Sequence, residues 1–155
     1  MNKNEIIIWS AKFATGVQYI DLQHKELLDL TNELYKACLV GNKETEDEFK
    51  EVMGRMVKYV RFHFSDELKI LGHIKYPQLS DHKKEHNNLI NDILQAAKDF
   101  DEGKQYVPMN FVRTLKDWVF GHIAVTDRLY ANFISEQKKN GLLSDNDIET
   151  FASNA

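Results

Sequence analysis

One cysteine, two prolines and seven glycines are few for 155 residues, and each scarcity excludes something. A single thiol, Cys38, cannot close an intramolecular disulfide, so cross-links do not hold the fold. On an apolar helical stripe it reads as core filler. With only Pro77 and Pro108 to interrupt it, most of the chain is free to form long helices. No Gly/Ser-rich linker, composition shift or internal repeat marks off a second domain. No apolar run approaches the roughly 18 residues of a membrane span, and the apolar stretch Ile6 to Trp9 is too short for a secretory leader. The chain therefore reads as soluble and cytoplasmic, without a membrane segment. Its formal charge is −4, and its 20 Lys and Arg residues are scattered, so no basic face offers itself to nucleic acid.

What is present is a globular composition: 43% hydrophobic and 28% charged residues. A chain of this length fits one domain around a single core. Residues 1–19 mix β-branched and aromatic residues with Thr15-Gly16 and show no sustained period, which predicts an arm anchored on the bundle by Trp9 and Phe13. From Asp21, a predicted N-cap, the apolar positions Leu27, Leu30, Leu34 and Cys38 recur at helical spacing and stop at Gly41. A second pattern begins at Glu44 and runs through Phe49, Val52, Met53, Met56, Val57, Val60 and Phe64 to Gly72. Tyr76-Pro77 breaks the chain. Gln78 or Ser80 can open a third helix, carried by Leu89, Ile90, Ile93, Leu94, Ala97 and Phe100 to Gly103. Pro108 suits the first turn of a fourth, defined by Phe111, Val112, Leu115, Trp118, Val119 and Ile123 through about Phe133. In the tail, Ser144 can cap a short helix, with Leu143 and Ile148 as a hydrophobic staple. The fold class is all-α: an antiparallel up-down four-helix bundle with an N-terminal arm and a short C-terminal helix. Residues 1–134 form the bundle and arm, and residues 135–155 an extension packed on the same domain.

Five of the six histidines fall beside core positions of these helices. His63 and Glu67 are four residues apart, as are His82 and His86, and on a helix that spacing puts both side chains on one face. The fourth helix adds His122 and Asp127, and the first adds His24, so each helix brings a metal-competent group. Either pair alone is common on solvated helix faces. The joint pattern over four helices that must face one another is the stronger sign. His24 has no partner within its own helix, and only the ensemble promotes it. His73, beside Gly72 at a helix C-terminus, suits the helix dipole and reads as structural.

These residues resemble the hemerythrin family, in particular its single-domain bacterial branch, over roughly residues 9 to 134. The resemblance is carried by Trp9, Thr15-Gly16-Val17, Ile20-Asp21-Leu22-Gln23-His24 and Tyr59-Val60-Arg61-Phe62-His63-Phe64-Ser65-Asp66-Glu67. It continues in Tyr76-Pro77, His82-Lys83-Lys84-Glu85-His86, and Trp118-Val119-Phe120-Gly121-His122-Ile123 with Asp127. It implies that His82, His86 and His122 bind one iron and His24 and His63 the other. Glu67, Asp127 and an oxo or hydroxo group would bridge the Fe2+/Fe3+ pair, and the second iron would keep an open position. The chain departs from the family at Leu68 and Leu71, where the family often has glutamate and methionine; neither change removes a ligand.

Histidine suits zinc, copper, nickel and iron alike, so iron rests on the two bridging carboxylates, the octahedral ligand count and the resemblance. Five neutral imidazoles and two carboxylates would leave a bridged di-iron pair only weakly charged, a state an apolar interior tolerates. Trp118, Val119, Phe64 and Leu28 fall within a turn of these positions and would exclude water. The implied function is reversible dioxygen binding for storage, delivery or sensing, by a monomer that is not an enzyme, delivery to a membrane oxidase being compatible with it. The alternative is a di-iron enzyme acting on dioxygen, peroxide or nitric oxide, although the Glu-x-x-His pairs of carboxylate-rich di-iron enzymes are absent here. One spacing resists a regular helix. His122 and Asp127 are five apart, about 140° round the axis, which predicts a local wide turn near Gly121.

Overall fold

The computed structural model describes residues 3–104 and 107–154 of the chain. A 3-10 turn, Ala11–Phe13, precedes α1 (Gln18–Val40), α2 (Lys43–His73), α3 (Leu79–Asp101) and α4 (Val107–Gly121). A single π turn, His122–Thr126, joins α4 to α5 (Asp127–Lys139), and α6 (Asp145–Ser153) ends the described chain. No strand occurs among the described residues. α1 packs on α2 and α4, and α3 on α2 and α4, which closes a four-helix bundle with α4, the π turn and α5 as its fourth rod.

Local chemistry sets three of the helix ends. Asn42 caps α2 through a reciprocal box in which its Oδ1 accepts from Thr45 N–H at 2.9 Å while Thr45 Oγ1 accepts from Asn42 N–H at 3.0 Å. Gly41 ends α1 in the left-handed region at φ 65°, where a side chain would be strained. Ser144 caps α6 through the same kind of box with Asp147, and Ile148 behind it is buried at 3% exposure.

Asp21 is not the cap predicted for the first helix. α1 starts at Gln18 after Val17, because buried Val17 and Ile20 draw the first turn onto the core. Asp21 instead accepts from Thr15 N–H and Thr15 Oγ1, each at 2.7 Å, and so fastens the arm to α1. Asn32 holds the start of the arm, its side chain accepting from the N–H groups of Ile6 and Ile7 and donating to the Ile7 carbonyl. Phe13 is buried and Trp9 packs against it at 5.8 Å.

Two apolar clusters divide the interior. The larger runs along the bundle through Leu27, Leu34, Phe49, Met56, Val60, Phe64, Ile93, Val112, Leu115 and Val119. The smaller joins Val17, Ile20, Ile70, Leu71, Tyr76, Tyr130 and Ile134 to Ile148 and Ala152 of α6. His73, the last residue of α2, stacks on Phe151 at 4.9 Å and pins α6 to that end. The fourth rod passes residue 134 without a break, so the extension begins within α5. Cys38 is half-buried at the far end of α1, where burial pushes its thiol up to about 11.

Candidate metal centre

Between the two clusters lie seven charged or imidazole side chains that a bundle core would ordinarily reject. His24, His63, Glu67, His82, His86, His122 and Asp127 are all at most 4% exposed. Burying such groups unpaired costs several kcal/mol each, so they persist only if something compensates them.

Glu67, His82, His86 and His122 each offer a donor atom within 4.8 Å of the others, and His24, His63 and Glu67 do the same. Glu67 belongs to both groups. Its Oε2 lies 2.9 Å from His82 Nε2 and 3.0 Å from His86 Nε2, while its Oε1 lies 3.6 Å from His24 Nε2 and 4.0 Å from His63 Nε2. Asp127 divides in the same way, Oδ1 facing His82 at 3.3 Å and His122 at 3.0 Å, and Oδ2 facing His24 at 3.2 Å. Each carboxylate thus turns one oxygen to a three-histidine group and the other to a two-histidine group. All seven residues singled out in the sequence are brought together, and His73 lies outside.

The π turn supplies Asp127. The Asp127 N–H donates to the His122 carbonyl, five residues back rather than four, and the widened turn brings the carboxylate over the same face as His122. This is the wide turn that the five-residue spacing required. Gly121 does not cause it: its backbone is regular α-helix, and a Cβ there would meet nothing within 4 Å.

Do these side chains fit a metal? Neither Asp127 oxygen and neither ring nitrogen of His24 has a hydrogen-bond partner, despite donors and acceptors about 3 Å away. The atoms converge on common points rather than aligning on one another. His86 Nε2 and His122 Nε2 face each other at 3.0 Å. Two nitrogens bound at right angles to one ion about 2.1 Å away stand about 3 Å apart. The donor set, imidazole with a minority of carboxylate, suits a divalent transition metal.

In the metal-free protein protons take the place of cations. Burial pushes the His24 and His122 imidazolium ions down, but Asp127 with Glu67 beside His24, and Asp127 with Glu85 beside His122, outweigh it and raise them to about 9 and about 10. Burial lowers His63 to about 3. For Asp127, burial and the Glu67 charge push upward, and the adjacent His122 and His24 reverse this, leaving it at about 2. Glu67 is likewise held well below its usual range, burial being outweighed by the surrounding histidines.

A second layer of contacts orients the first. Glu85 Oε2 accepts from His122 Nδ1 at 3.0 Å, and Gln23 Oε1 accepts from His63 Nδ1 at 2.7 Å, which aims both Nε2 atoms inward, that of His63 bare and that of His122 carrying the proton a metal would displace. Tyr130 O–H donates to Glu67 Oε1 at 2.5 Å. Phe64 stacks on His86 at 3.6 Å and Trp118 on His122 at 4.4 Å, with buried Leu28 and Val119 in the same apolar cluster. The roles of Gln23, Glu85 and Tyr130 were not assigned from the sequence. Gln23 and Glu85 do carry a signal there, each sitting directly before a candidate ligand, whereas Tyr130 is 63 residues from Glu67 and carries none.

Comparison with known proteins follows the same residues. Residues 15–134 match the Hemerythrin HHE cation binding domain. The chain is 30% identical over 131 residues to the bacteriohemerythrin of Methylococcus capsulatus, covering 84% of this chain and 98% of that protein. It is 32% identical over 132 residues to the bacteriohemerythrin of Clostridium acetobutylicum, covering 81% and 98%. A crystal structure of wild-type hemerythrin superposes with a TM-score of 0.75 at 30% identity, covering 82% of this chain and 96% of that one.

Proposed function

The chain belongs to the hemerythrin family, and from that premise we propose that it binds dioxygen reversibly at a non-heme di-iron centre. The ligands in this reading are His82, His86 and His122 on one iron and His24 and His63 on the other, bridged by Glu67 and Asp127. The observation that carries it is the division of both carboxylates, one oxygen to each histidine group. When bound, the iron pair would supply the two electrons that dioxygen takes up reversibly.

The protein's own residues do the rest. Glu85 and Gln23 hold His122 and His63 with Nε2 inward. Tyr130 donates to Glu67 Oε1, the oxygen turned toward His24 and His63, and so fixes that carboxylate. The group with two histidines has one donor fewer than its neighbour, which leaves room there for a small ligand. Phe64, Trp118, Leu28 and Val119 wall the donors with apolar surface, which excludes water and slows irreversible oxidation. That apolar wall, and a histidine-rich donor set without the Glu-x-x-His pairs of carboxylate-rich di-iron enzymes, favour a carrier, for storage, delivery or sensing, over an enzyme. We place the bundle and the extension of residues 135–155 in one monomeric unit.

The test is an optical spectrum of anaerobically reduced, iron-loaded protein before air, after air, and after purging with argon. A visible charge-transfer band that appears with air and vanishes on purging is the expected result. An irreversible ferric product, or no change, would falsify the carrier reading.

A further inference from the structure

We propose that Asp66, a buried carboxylate that does not face the candidate metal positions, sets the tautomer of His63 through the side chain of Gln23. This rests on the reading of His63 as a metal ligand, but not on dioxygen chemistry.

The chain of contacts has only one consistent set of donors. Asp66 is 4% exposed, and its Oδ2 receives both the Tyr19 hydroxyl at 2.7 Å and the Gln23 amide at 3.1 Å. Oδ2 accepts in both contacts, so the amide turns its Nε2 toward Asp66. Its Oε1 is then fixed toward His63 Nδ1, 2.7 Å away, and that atom must carry the ring proton. His63 Nε2 is left with a bare lone pair on the side of Glu67 and His24. Without Asp66 the amide could rotate by 180°, present Nε2 to the ring, and select the opposite tautomer, which cannot bind metal through Nε2. Tyr59 contributes by donating to the Gln23 carbonyl at 3.0 Å, which ties the α1 backbone to α2 at this level.

The arrangement is a cross-brace between two helices. Gln23 directly precedes His24 on α1 and holds a donor of α2, while Asp66 directly precedes Glu67 on α2 and holds Gln23. The three-histidine group differs, since there Glu85 meets His122 Nδ1 without an intermediary and is itself partly exposed. A neutral amide between carboxylate and imidazole passes on orientation with less charge, so His63 is the less electron-rich of the two imidazoles. The group with fewer donors is thus also the one with the weaker outer carboxylate.

The experiment reads the tautomer and the metal affinity, with Co(II) as the probe. Nitrogen-15 NMR of the metal-free protein near pH 7 should show His63 protonated at Nδ1 in the wild type and a mixture of tautomers in Asp66→Asn. Co(II) affinity at the two-histidine group should fall on the order of tenfold in Asp66→Asn, as loss of an outer-layer partner does elsewhere. Asp66→Asn combined with Gln23→Glu exchanges carboxylate and amide while leaving every bond with a donor and an acceptor, and should restore both readouts. A wild-type His63 protonated at Nε2 overturns the proposal without any variant. So does an Asp66→Asn protein with unchanged tautomer and affinity, or a failure of the exchange to rescue. Because neither readout involves iron or dioxygen, the proposal can stand if the carrier reading falls, and fall if the carrier reading stands.

Discussion

His24 and His122 hold protons in the metal-free protein that a metal must displace. Their values near 9 and 10 are raised above the ordinary 6.5 by Asp127, with Glu67 at His24 and Glu85 at His122, against the pull of burial. The stability they lend to the metal-free fold is therefore complete below about pH 6.5 and lost as pH rises through about 9 to 10. His63, depressed to about 3, acts oppositely, since the unfolded chain takes up a proton between about pH 6.5 and 3 that the folded chain refuses. Metal binding should accordingly release one proton at each group, from His122 in one and from His24 in the other, and the affinity for each ion should climb with pH across neutrality with a slope approaching one. Chelator-competition titrations of Co(II) between pH 6.5 and 9 measure that slope. A flat profile would mean the two imidazoles are already free.

Among the elements, the π turn is the one whose removal can be predicted most sharply. Val125 lies within it and is 62% exposed, so deleting it removes little packing while returning the rod to regular helix. His122 and Asp127 would then be four apart on a regular helix, about 40° from eclipsed, and because α5 is continuous from Asp127 its side chains would move with that residue. Tyr130 and Ile134 would therefore keep their places in the core. The expected result is metal binding weakened by the small shift of Asp127 at unchanged stoichiometry, with helical circular dichroism retained and little change in melting temperature; complete loss of metal would mean that the π turn itself aims Asp127. Gly121 should behave differently. It sits in regular helix with room for a Cβ, so Gly121→Ala should stabilise the protein by about 0.5–1 kcal/mol with metal stoichiometry unchanged. Thermal melts and metal analysis of the two variants separate the turn from the glycine before it.

For the whole molecule, the centre makes stability depend on metal. Seven buried polar side chains lie between two apolar clusters, and without cations several of their atoms have no partner. A ligand that binds only the folded state at about 1,000 times its dissociation constant adds about 4 kcal/mol. For a domain of this size each kcal/mol moves the midpoint by roughly 2–4 °C, so loading should raise the melting temperature by on the order of 10 °C per tightly held ion. Differential scanning calorimetry with and without metal, reversed by a chelator, tests this. Equal midpoints would mean the cluster holds no ion.

The four helices and their donor side chains were legible in the chain because both depend on short-range order. Apolar spacing near 3.6 residues outlines each rod, and a separation of four places His63 with Glu67 and His82 with His86 on shared faces whatever surrounds them. The five-residue interval of His122 and Asp127 likewise betrayed the wide turn. Asp21 misled for the complementary reason: an acidic residue near a helix start suits a cap, but burial of Val17 and Ile20 moved the start, and the carboxylate went to Thr15. What only the tertiary structure decided is which groups meet across helices. Tyr130 reaching Glu67, Glu85 reaching His122, and Asp66 reaching His63 by way of Gln23 join residues 37 to 63 positions apart, or depend on such a link, as when Gln23 spans 40 residues to His63. No local period encodes those meetings. They follow from helix packing, which sets the rotation of each rod and so determines which polar side chain faces the back of each imidazole.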